Sequence, residues 1–311
     1  MEGDAASGRE GWLRAVGLLA VTMSSSVVSP MILVAVPFGF LIVLMSQRSL
    51  LALVFAAAAG ATVAMGDSSS GFWFAERGWA LLVGGCFLAL TLRWPEGSFL
   101  PRGLGAVFGS FVGMGLLFWV RPGEWAVAEW MVKSRLEFAM NGVLQAVRNG
   151  VAPEAVPELF ETQAMLFLAF QGLVFPALLG LASLSALGFA WWLFGRVTRS
   201  PDPGIGTLKE FRFNDQMVWI LIFGIVALLL SSGAVERIGV NAVVFMGALY
   251  ALRGAGVVLF MTGGFSLLGG ILLLVGFFLL APFMVLGAMF IGLGDTWFDL
   301  RSRGPVLRSG A

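Results

Sequence analysis

The sequence predicts an all-α integral membrane protein that crosses the bilayer several times. The chain has 311 residues, of which 59% are hydrophobic and only 12% are charged. A water-soluble fold of this composition would leave large apolar patches in water. The apolar residues are gathered in long runs, and a run of about 20 such residues crosses the roughly 30 Å of hydrocarbon as a helix, which satisfies its own backbone hydrogen bonds in lipid.

Nine apolar segments follow one another along the chain. They cover residues 12–28, 31–47, 49–66, 78–92, 101–120, 163–195, 217–233, 237–262 and 264–294. Tryptophan favours the headgroup level of a bilayer, so its positions test this division. Most tryptophans lie at or near segment ends, namely Trp12, Trp79, Trp94, Trp119, Trp191, Trp192, Trp219 and Trp297.

The last segment is longer than a straight crossing requires. Residues 264–294 would extend about 46 Å as a single helix, and Pro282 lies in their middle. Because proline removes a backbone donor and kinks a helix, we expect a hairpin or a broken helix here. The alternative is one long tilted helix that carries the C-terminal tail to the outer side.

Lysine and arginine near the membrane predict the orientation, since they concentrate on the cytoplasmic side. With the N-terminus inside, the cytoplasmic residues are Arg9, Arg14, Arg48, Arg93, Arg102, Arg196, Arg199, Lys209 and Arg212. The tail is basic as well, with Arg301, Arg303 and Arg308. We therefore expect both termini in the cytoplasm of a bacterium and the protein in its inner membrane, which requires an even number of spans and favours the hairpin.

The segment 121–162 differs from the rest of the chain in composition. Polar residues recur every four positions, at Glu129, Lys133, Glu137, Asn141 and Gln145. This period predicts amphipathic helices on the outer surface. They either connect spans five and six or cover a substrate entrance as a lid. The predicted division is thus an N-terminal bundle of five spans at 1–120, the surface helices at 121–162, and a C-terminal bundle at 163–311 with a polar linker at 200–216.

Several classes of function are excluded by what the sequence lacks. It has no histidine and one cysteine, Cys86, which removes histidine-dependent triads, His or Cys metal sites and disulfides. A net charge of +1 offers no basic surface for nucleic acid. No phosphate-binding Walker A loop is present either, so ATP could act only through a partner. We therefore predict no catalytic residue, no metal and no cofactor.

Arg253 is the most unusual residue at membrane depth. A central arginine costs about 2.5–3.5 kcal/mol on insertion scales and needs a polar partner. It could bind an anionic ligand, together with Asn241 and Tyr250 of the same span, or serve as an internal counter-ion. If the chain turns back at Pro282, Asp295 becomes its leading partner.

Two further patterns concern packing and helix ends. Gly105, Gly109 and Gly113 share one face of the fifth span, which suits close helix packing. Asp295 and Asp299 are one helical turn apart, a spacing that can hold Mg²⁺. Such sites need a second acidic cluster, which the inner loops lack, so we expect these carboxylates to fix the end of the last helix.

The run from Leu208 to Arg303 resembles the C-terminal half of the YybS-like membrane proteins, formerly DUF2232, a bacterial family of unknown function. The likeness lies in KEFR at 209–212, LYALRG at 249–254 and GLGDTWFDLR at 292–301. The last stretch holds the signature residues Asp295, Trp297, Asp299 and Arg301. The family is distantly similar to the substrate-capturing S subunits of energy-coupling-factor transporters, a resemblance that implies a coupling ATPase or another membrane subunit as partner.

These patterns give one leading function and two alternatives. We expect a non-enzymatic membrane protein that binds or helps to translocate a small solute, with the lipid bilayer around it. The first alternative is a membrane scaffold or assembly protein without a small ligand. The second is an enzyme that modifies lipids.

Overall fold

The computed structural model describes residues 30–38, 71–150, 158–198, 205–264 and 267–303. Throughout these ranges the regular elements are helices, as the sequence predicts. The predicted segments 12–28 and 49–66, and most of 31–47, lie outside the described residues. Of the segment 31–47, the structure gives a 3₁₀ helix at Pro30–Ala35 that continues as one helical turn to Phe38.

The described α-helices are numbered here in chain order. They are α1 (Gly71–Arg93), α2 (Phe99–Val120), α3 (Pro122–Gly150), α4 (Glu158–Thr198), α5 (Val218–Leu230), α6 (Ala234–Met261), α7 (Leu267–Phe298) and α8 (Leu300–Arg303). Within this part of the chain, five helices are long and apolar enough to cross a membrane, namely α1, α2, α4, α6 and α7. The helix α5 is apolar but shorter. The count of nine segments stays a prediction.

The chain forms two compact units. Unit 1 comprises residues 1–172 and 179–205, and unit 2 comprises 173–178 and 206–311. The described helix α3 thus belongs to the same unit as α1 and α2. The three-part division by composition stays a prediction.

Unit 1 has an aromatic core among α1, α2, α4 and the short helix at 30–38. Phe38 lies 5.5 Å from Phe87 and 5.7 Å from Trp191, measured between ring centroids. The indole of Trp79 donates a hydrogen bond of 2.9 Å to the hydroxyl of Ser183. The contacts of Trp191 and Ser183 join residues more than 100 positions apart, so α4 packs on α1 and on the short helix at 30–38.

The helix α3 begins with Pro122, a residue suited to the first helical position because its missing N–H needs no partner there. Its polar stripe is exposed, whereas Val132 and Leu136 are half-buried and Leu144 is buried. Lys133 forms a surface pair with Glu137 at 3.9 Å. That α3 lies flat on the outer membrane surface stays a prediction.

Glycines bring the helices of unit 2 close together. A Cβ on Gly239 would lie 2.8 Å from the carbonyl oxygen of Gly224, so α5 and α6 are in backbone contact. A Cβ on Gly254 would lie 1.8 Å from the carbonyl oxygen of Ala288, so α6 and α7 are equally close. Larger residues at these positions would separate the helices.

The helix α7 is broken at Leu280, where φ is −128° and ψ is 26°, two residues before Pro282. The sulfur of Met284 lies 3.5 Å from the Cβ position of Gly276. In a straight helix these two residues would be about 12 Å apart along the axis. The sequence therefore predicts the position of the break correctly.

The contacts between α6 and α7 show that the chain reverses at this break. Gly247 lies against Met289 and Arg253 against Asp295, so α6 and the C-terminal half of α7 run parallel. Were α7 straight, Leu267 would lie about 54 Å from Met261 along the axis. The linker between these residues reaches only about 21 Å. The first half of α7 must therefore run antiparallel to α6, and the second half runs parallel to it. This reversal brings Asp295 close to Arg253.

Candidate functional site

A strap of residues 205–217 leads into α5 and carries half of the charged site in unit 2. It contains two 3₁₀ turns, Leu208–Glu210 and Asp215–Met217. The backbone N–H of Thr207 donates to the Glu210 carboxylate at 3.3 Å, and the Asn214 side chain accepts from the N–H of Gln216 at 3.0 Å. These local side-chain bonds replace a longer helix and give the strap a fixed shape.

Arg253 lies at the centre of the site, with its side chain only 3% exposed. Its Nε donates to Oδ2 of Asp295 at 2.9 Å, and its Nη1 donates to Oδ1 of Asp215 at 2.6 Å. The guanidinium carbon also lies 5.5 Å from the centre of the Phe213 ring. Charge-assisted bonds and a ring face together hold a cation that the apolar helix alone would disfavour.

The two carboxylates on Arg253 differ in their surroundings. The Asp295 side chain is 0% exposed, whereas that of Asp215 is 60% exposed. Asp295 uses its other oxygen, Oδ1, to accept from the backbone N–H of Leu300 at 3.1 Å. Asp295 is therefore enclosed, and Asp215 is the partner that meets solvent.

The end of α7 is shaped by Asp299, whose φ is 41°. This left-handed conformation is rare for residues other than glycine, and aspartate and asparagine tolerate it better than most. It turns the chain after Phe298 so that Leu300 reaches Asp295 and α8 begins. As predicted for the two aspartates, both act on the end of this helix.

Arg301 of α8 holds the backbone of two neighbouring elements. Its Nη2 donates to the carbonyl oxygen of Phe211 at 3.0 Å and to that of Arg253 at 3.2 Å, and its Nε is enclosed without a partner. Burial lowers the pKa of the Arg301 guanidinium, because the charged form loses hydration. The residue thus joins the strap, α6 and α8.

Two further contacts connect the strap to the residues that follow α6 and α7. Lys209 donates to the carbonyl oxygen of Gly263 at 3.0 Å, and Arg212 pairs with Asp299 at 2.5 Å. The hydrogen bond from Arg212 lowers the pKa of the Asp299 carboxyl. Four cations and four anions thus meet in and beside the strap, namely Lys209, Arg212, Arg253 and Arg301 with Glu210, Asp215, Asp295 and Asp299.

Asn241, a predicted ligand residue, bonds to a helix backbone. Its Oδ1 accepts from the N–H of Ala177 at 2.8 Å, and its Nδ2 donates to the carbonyl oxygen of Leu173 at 2.9 Å. Those two backbone groups would otherwise bond each other within α4, beside Pro176. The amide is inserted into the helix ladder, a recognised cause of helix bending. Its position supports packing between helices.

Tyr250, the other predicted ligand residue, is fully buried. Its ring lies 5.0 Å from that of Phe213, edge to face. The hydroxyl lies beside Thr296 without a hydrogen bond of ordinary geometry. The residue belongs to the core beneath Arg253.

The remaining predicted residues lie apart from this cluster. Trp297 is 62% exposed on the surface of α7. Gly105 lies 3.1 Å, by its Cβ position, from Leu90, while no described atom comes within 4 Å of a Cβ on Gly109 or Gly113. A packing role for the last two stays a prediction.

The contribution of the strap does not follow from the sequence pattern. Its residues lie in the stretch that the sequence predicts as a polar linker, but Asp215, Arg212 and Phe213 supply two ion pairs and a ring contact. One signal could have indicated them. A guanidinium has five N–H donors, more than Asp295 alone can satisfy, so a second carboxylate near a span end was to be expected.

The chemistry available in the described ranges is ionic. Asp295 and Asp299 are engaged by Arg253 and Arg212, and no group of acidic, cysteine or histidine side chains there could hold a metal ion.

Comparisons with models of protein families, with curated proteins and with solved structures each find no match to this chain.

Proposed function

We propose that this is a non-enzymatic, multi-pass protein of the bacterial inner membrane that binds or helps to translocate a small anionic solute. The five long apolar helices fit a multi-pass membrane protein. The solute is assigned to the Arg253 site, where a cation at membrane depth is held by one enclosed and one exposed carboxylate.

The exposed Asp215 is the observation that carries this proposal. An anionic solute that reaches Nη1 of Arg253 could replace the Asp215 carboxylate while Asp295 keeps its bond to Nε. Asp215, whose side chain is already 60% exposed, would then be released into water. Because Arg253 itself is enclosed, the solute must bind Nη1 as Asp215 does, so that the buried cation keeps its second partner.

The broken helix α7 supports transport over a purely static role. Discontinuous helices in transporters leave irregular backbone beside the substrate pathway, where it lines protein or a cavity. Here the break at Leu280 returns the second half of α7 to Arg253. The strap covers the same end through Lys209 and Arg212, so we assign the structure to a closed state.

A scaffold or assembly protein is the second candidate. The close backbone packing at Gly254 and Gly292, and the pairing of Arg253 on both sides, also suit a rigid module without a ligand. The two candidates differ in one respect: only the first requires Asp215 to leave.

We further propose a family and a partner for this chain. The segments at 209–212, 249–254 and 292–301 support membership of the YybS-like proteins, and the wider likeness to S subunits supports a coupling ATPase as partner. The basic residues and the reversal in α7 support cytoplasmic termini.

Native mass spectrometry of the gently purified full-length protein tests the solute site. We expect a small anion bound to the wild type, lost in Arg253→Gln and bound at least threefold more in Asp215→Asn, which removes the competing carboxylate. Asp299→Asn is the matched control, because it removes a carboxylate that pairs with Arg212 of the strap and not with Arg253. A wild type and an Asp215→Asn variant that both lack a bound small molecule would favour the scaffold.

A further inference from the structure

Arg102, in unit 1, is a buried cation that has no carboxylate partner among the described residues. It is the fourth residue of α2 and is 6% exposed. Its Nε donates to the carbonyl oxygen of Ser98 at 3.2 Å. Within the part of the chain that the structure describes, this is its one hydrogen bond. Buried arginines are normally paired, so this exception calls for an anion.

Aromatic rings fix the position of the guanidinium. Its central carbon lies 5.1 Å from the centre of the Trp191 ring and 5.7 Å from that of Phe87. The aliphatic stem packs against the turn at Gly97. The side chain is thus held in place before any ligand arrives, which lowers the entropic cost of binding.

The terminal nitrogens of Arg102 can be reached from outside. Neither is among the fully enclosed atoms that lack a partner, and only one of the five N–H donors of a guanidinium is used by Ser98. The remaining donors suit the paired oxygens of a phosphate, which arginine recognises in a bidentate manner.

The surroundings are those of a membrane interface. The short turn at 94–98 joins α1 to α2, and Arg93 lies over the ring of Trp94 at 5.4 Å. Near the end of α4, Arg196 lies over Trp192 at 5.2 Å. Arginine and tryptophan at helix ends mark the headgroup level. Glu96 is the one acidic residue of the turn at 94–98 and is exposed. The basic residues Arg93, Arg102 and Arg196 therefore outnumber the acidic residue at this helix end.

The first turn of α2 adds positive potential at the same place. Its N-cap residue, Ser98, makes no side-chain cap, so the N–H groups of Phe99 and Leu100 keep their capacity to bind an anion, whereas Pro101 has no N–H. The helix end strengthens a site that Arg102 defines.

We propose that Arg102 binds the phosphate of an anionic phospholipid at the end of α1 and α2. The aromatic rings of Trp191 and Phe87 lie against the guanidinium group, and the lipid phosphate takes the place that a carboxylate has at other buried arginines. Basic pockets between membrane helices are a common form of headgroup site. A free phosphate ion has the same chemistry, so the test separates the two sources.

The experiment measures lipid binding to the full-length protein in a neutral detergent by native mass spectrometry. Phosphatidylglycerol and phosphatidylcholine are added in turn, each with and without inorganic phosphate. The variants are Arg102→Gln and, as a matched control, Arg93→Gln, which removes an exposed cation from the same turn. We expect Arg102→Gln to weaken phosphatidylglycerol binding about tenfold and Arg93→Gln to change it less than twofold.

Each outcome has a defined meaning. Equal binding of phosphatidylglycerol by the wild type and Arg102→Gln overturns the proposal, as does equal binding of the two lipids by the wild type. Competition by millimolar inorganic phosphate identifies a free anion as the ligand and overturns the assignment to lipid. If Arg102→Gln cannot be purified, phenylglyoxal modification of the wild type replaces it. Phosphatidylglycerol should then protect Arg102 and leave Arg93 reactive, and equal modification of Arg102 in both lipids, including none in either, overturns the proposal.

Discussion

Gly254 and Gly292 face each other across α6 and α7 without room for a side chain on either. A Cβ on Gly254 would lie 2.9 Å from the backbone nitrogen of Gly292, and a Cβ on Gly292 would lie 2.7 Å from that of Gly254. The nearest atom to the latter Cβ would be the carbonyl oxygen of Tyr250, at 2.0 Å. This contact sets how closely Arg253, the next residue to Gly254, can approach Asp295.

Gly292→Ala should destabilise unit 2, because both helix backbones must move apart to admit the methyl group. Overpacking of this kind costs about 1–3 kcal/mol or more. We expect the thermal midpoint in detergent to fall by at least about 3 °C. Gly287→Ala, on the same helix, has no described atom within 4 Å of its Cβ and should leave the midpoint unchanged. An unchanged midpoint in Gly292→Ala would show that α6 and α7 are not in contact here, and a similar loss in both variants would show that the loss does not come from this contact.

Asn241→Leu should also be destabilising. The substitution leaves the N–H of Ala177 and the carbonyl of Leu173 without their side-chain partners. Each unsatisfied buried group costs about 1–3 kcal/mol. Thermal unfolding should show this loss, whereas Asn141→Leu, at an exposed position of α3, should have little effect. A stable Asn241→Leu variant would mean that α4 closes its own hydrogen bond at Pro176.

The sequence predicts the helices of this protein better than their mutual arrangement. Length and apolar composition locate α1, α2, α4, α6 and α7, because each span must satisfy its own backbone in lipid. Pro282 predicts the break in α7 for a similarly local reason. The axial position of α6 relative to α7 cannot be predicted in this local way, because it depends on the contact between Gly254 and Gly292 on two different helices.

The charged site was predictable only in part. Arg253 stands out because it is an arginine in an apolar run, and Asp295 follows from the turn at Pro282. Asp215 does not stand out, because an aspartate in a polar linker is ordinary. Its role depends on how the strap folds over α6. The spacing of residues along the sequence does not predict that arrangement. The same is true of Arg102, whose burial comes from Trp191, far along the chain.

The pairing of Arg212 with Asp299 predicts a dependence of stability on pH. The pKa of Asp299 is lowered in the folded protein by the hydrogen bond from Arg212, against about 3.9 for an unfolded aspartate. A lowered pKa contributes stability that is present above the unfolded value and is lost as the pH falls through the folded value. The thermal midpoints of the wild type and Arg212→Gln should therefore differ by a constant amount between about pH 5 and 8. This difference should shrink below about pH 4. In an Asp299→Asn background it should be absent at every pH.

Cysteine labelling tests whether α3 lies flat on the outer surface. In a Cys86→Ala background, an impermeant maleimide should label a cysteine at position 133 readily and one at position 136 poorly. Lys133 is 70% exposed in its side chain, and Leu136 is half-buried. Equal labelling would indicate a mobile loop, and no labelling of intact cells at position 133 would place α3 on the inner side.

A double-mutant cycle tests whether Arg253 and Asp295 are coupled as the reversal of α7 requires. Arg253→Leu leaves the enclosed Asp295 carboxylate without its cation, and Asp295→Asn leaves Arg253 with only the exposed Asp215. Removing one member of a buried pair typically costs about 3–5 kcal/mol. The double variant should be more stable than the sum of the single losses by about 0.5–3 kcal/mol. Asp215→Asn should cost less than Asp295→Asn, because the Asp215 carboxylate is 60% exposed whereas the Asp295 carboxylate is enclosed. Strict additivity of Arg253→Leu and Asp295→Asn in thermal or denaturant unfolding would mean that the two residues do not meet, and α7 would then have no need to turn back at Leu280.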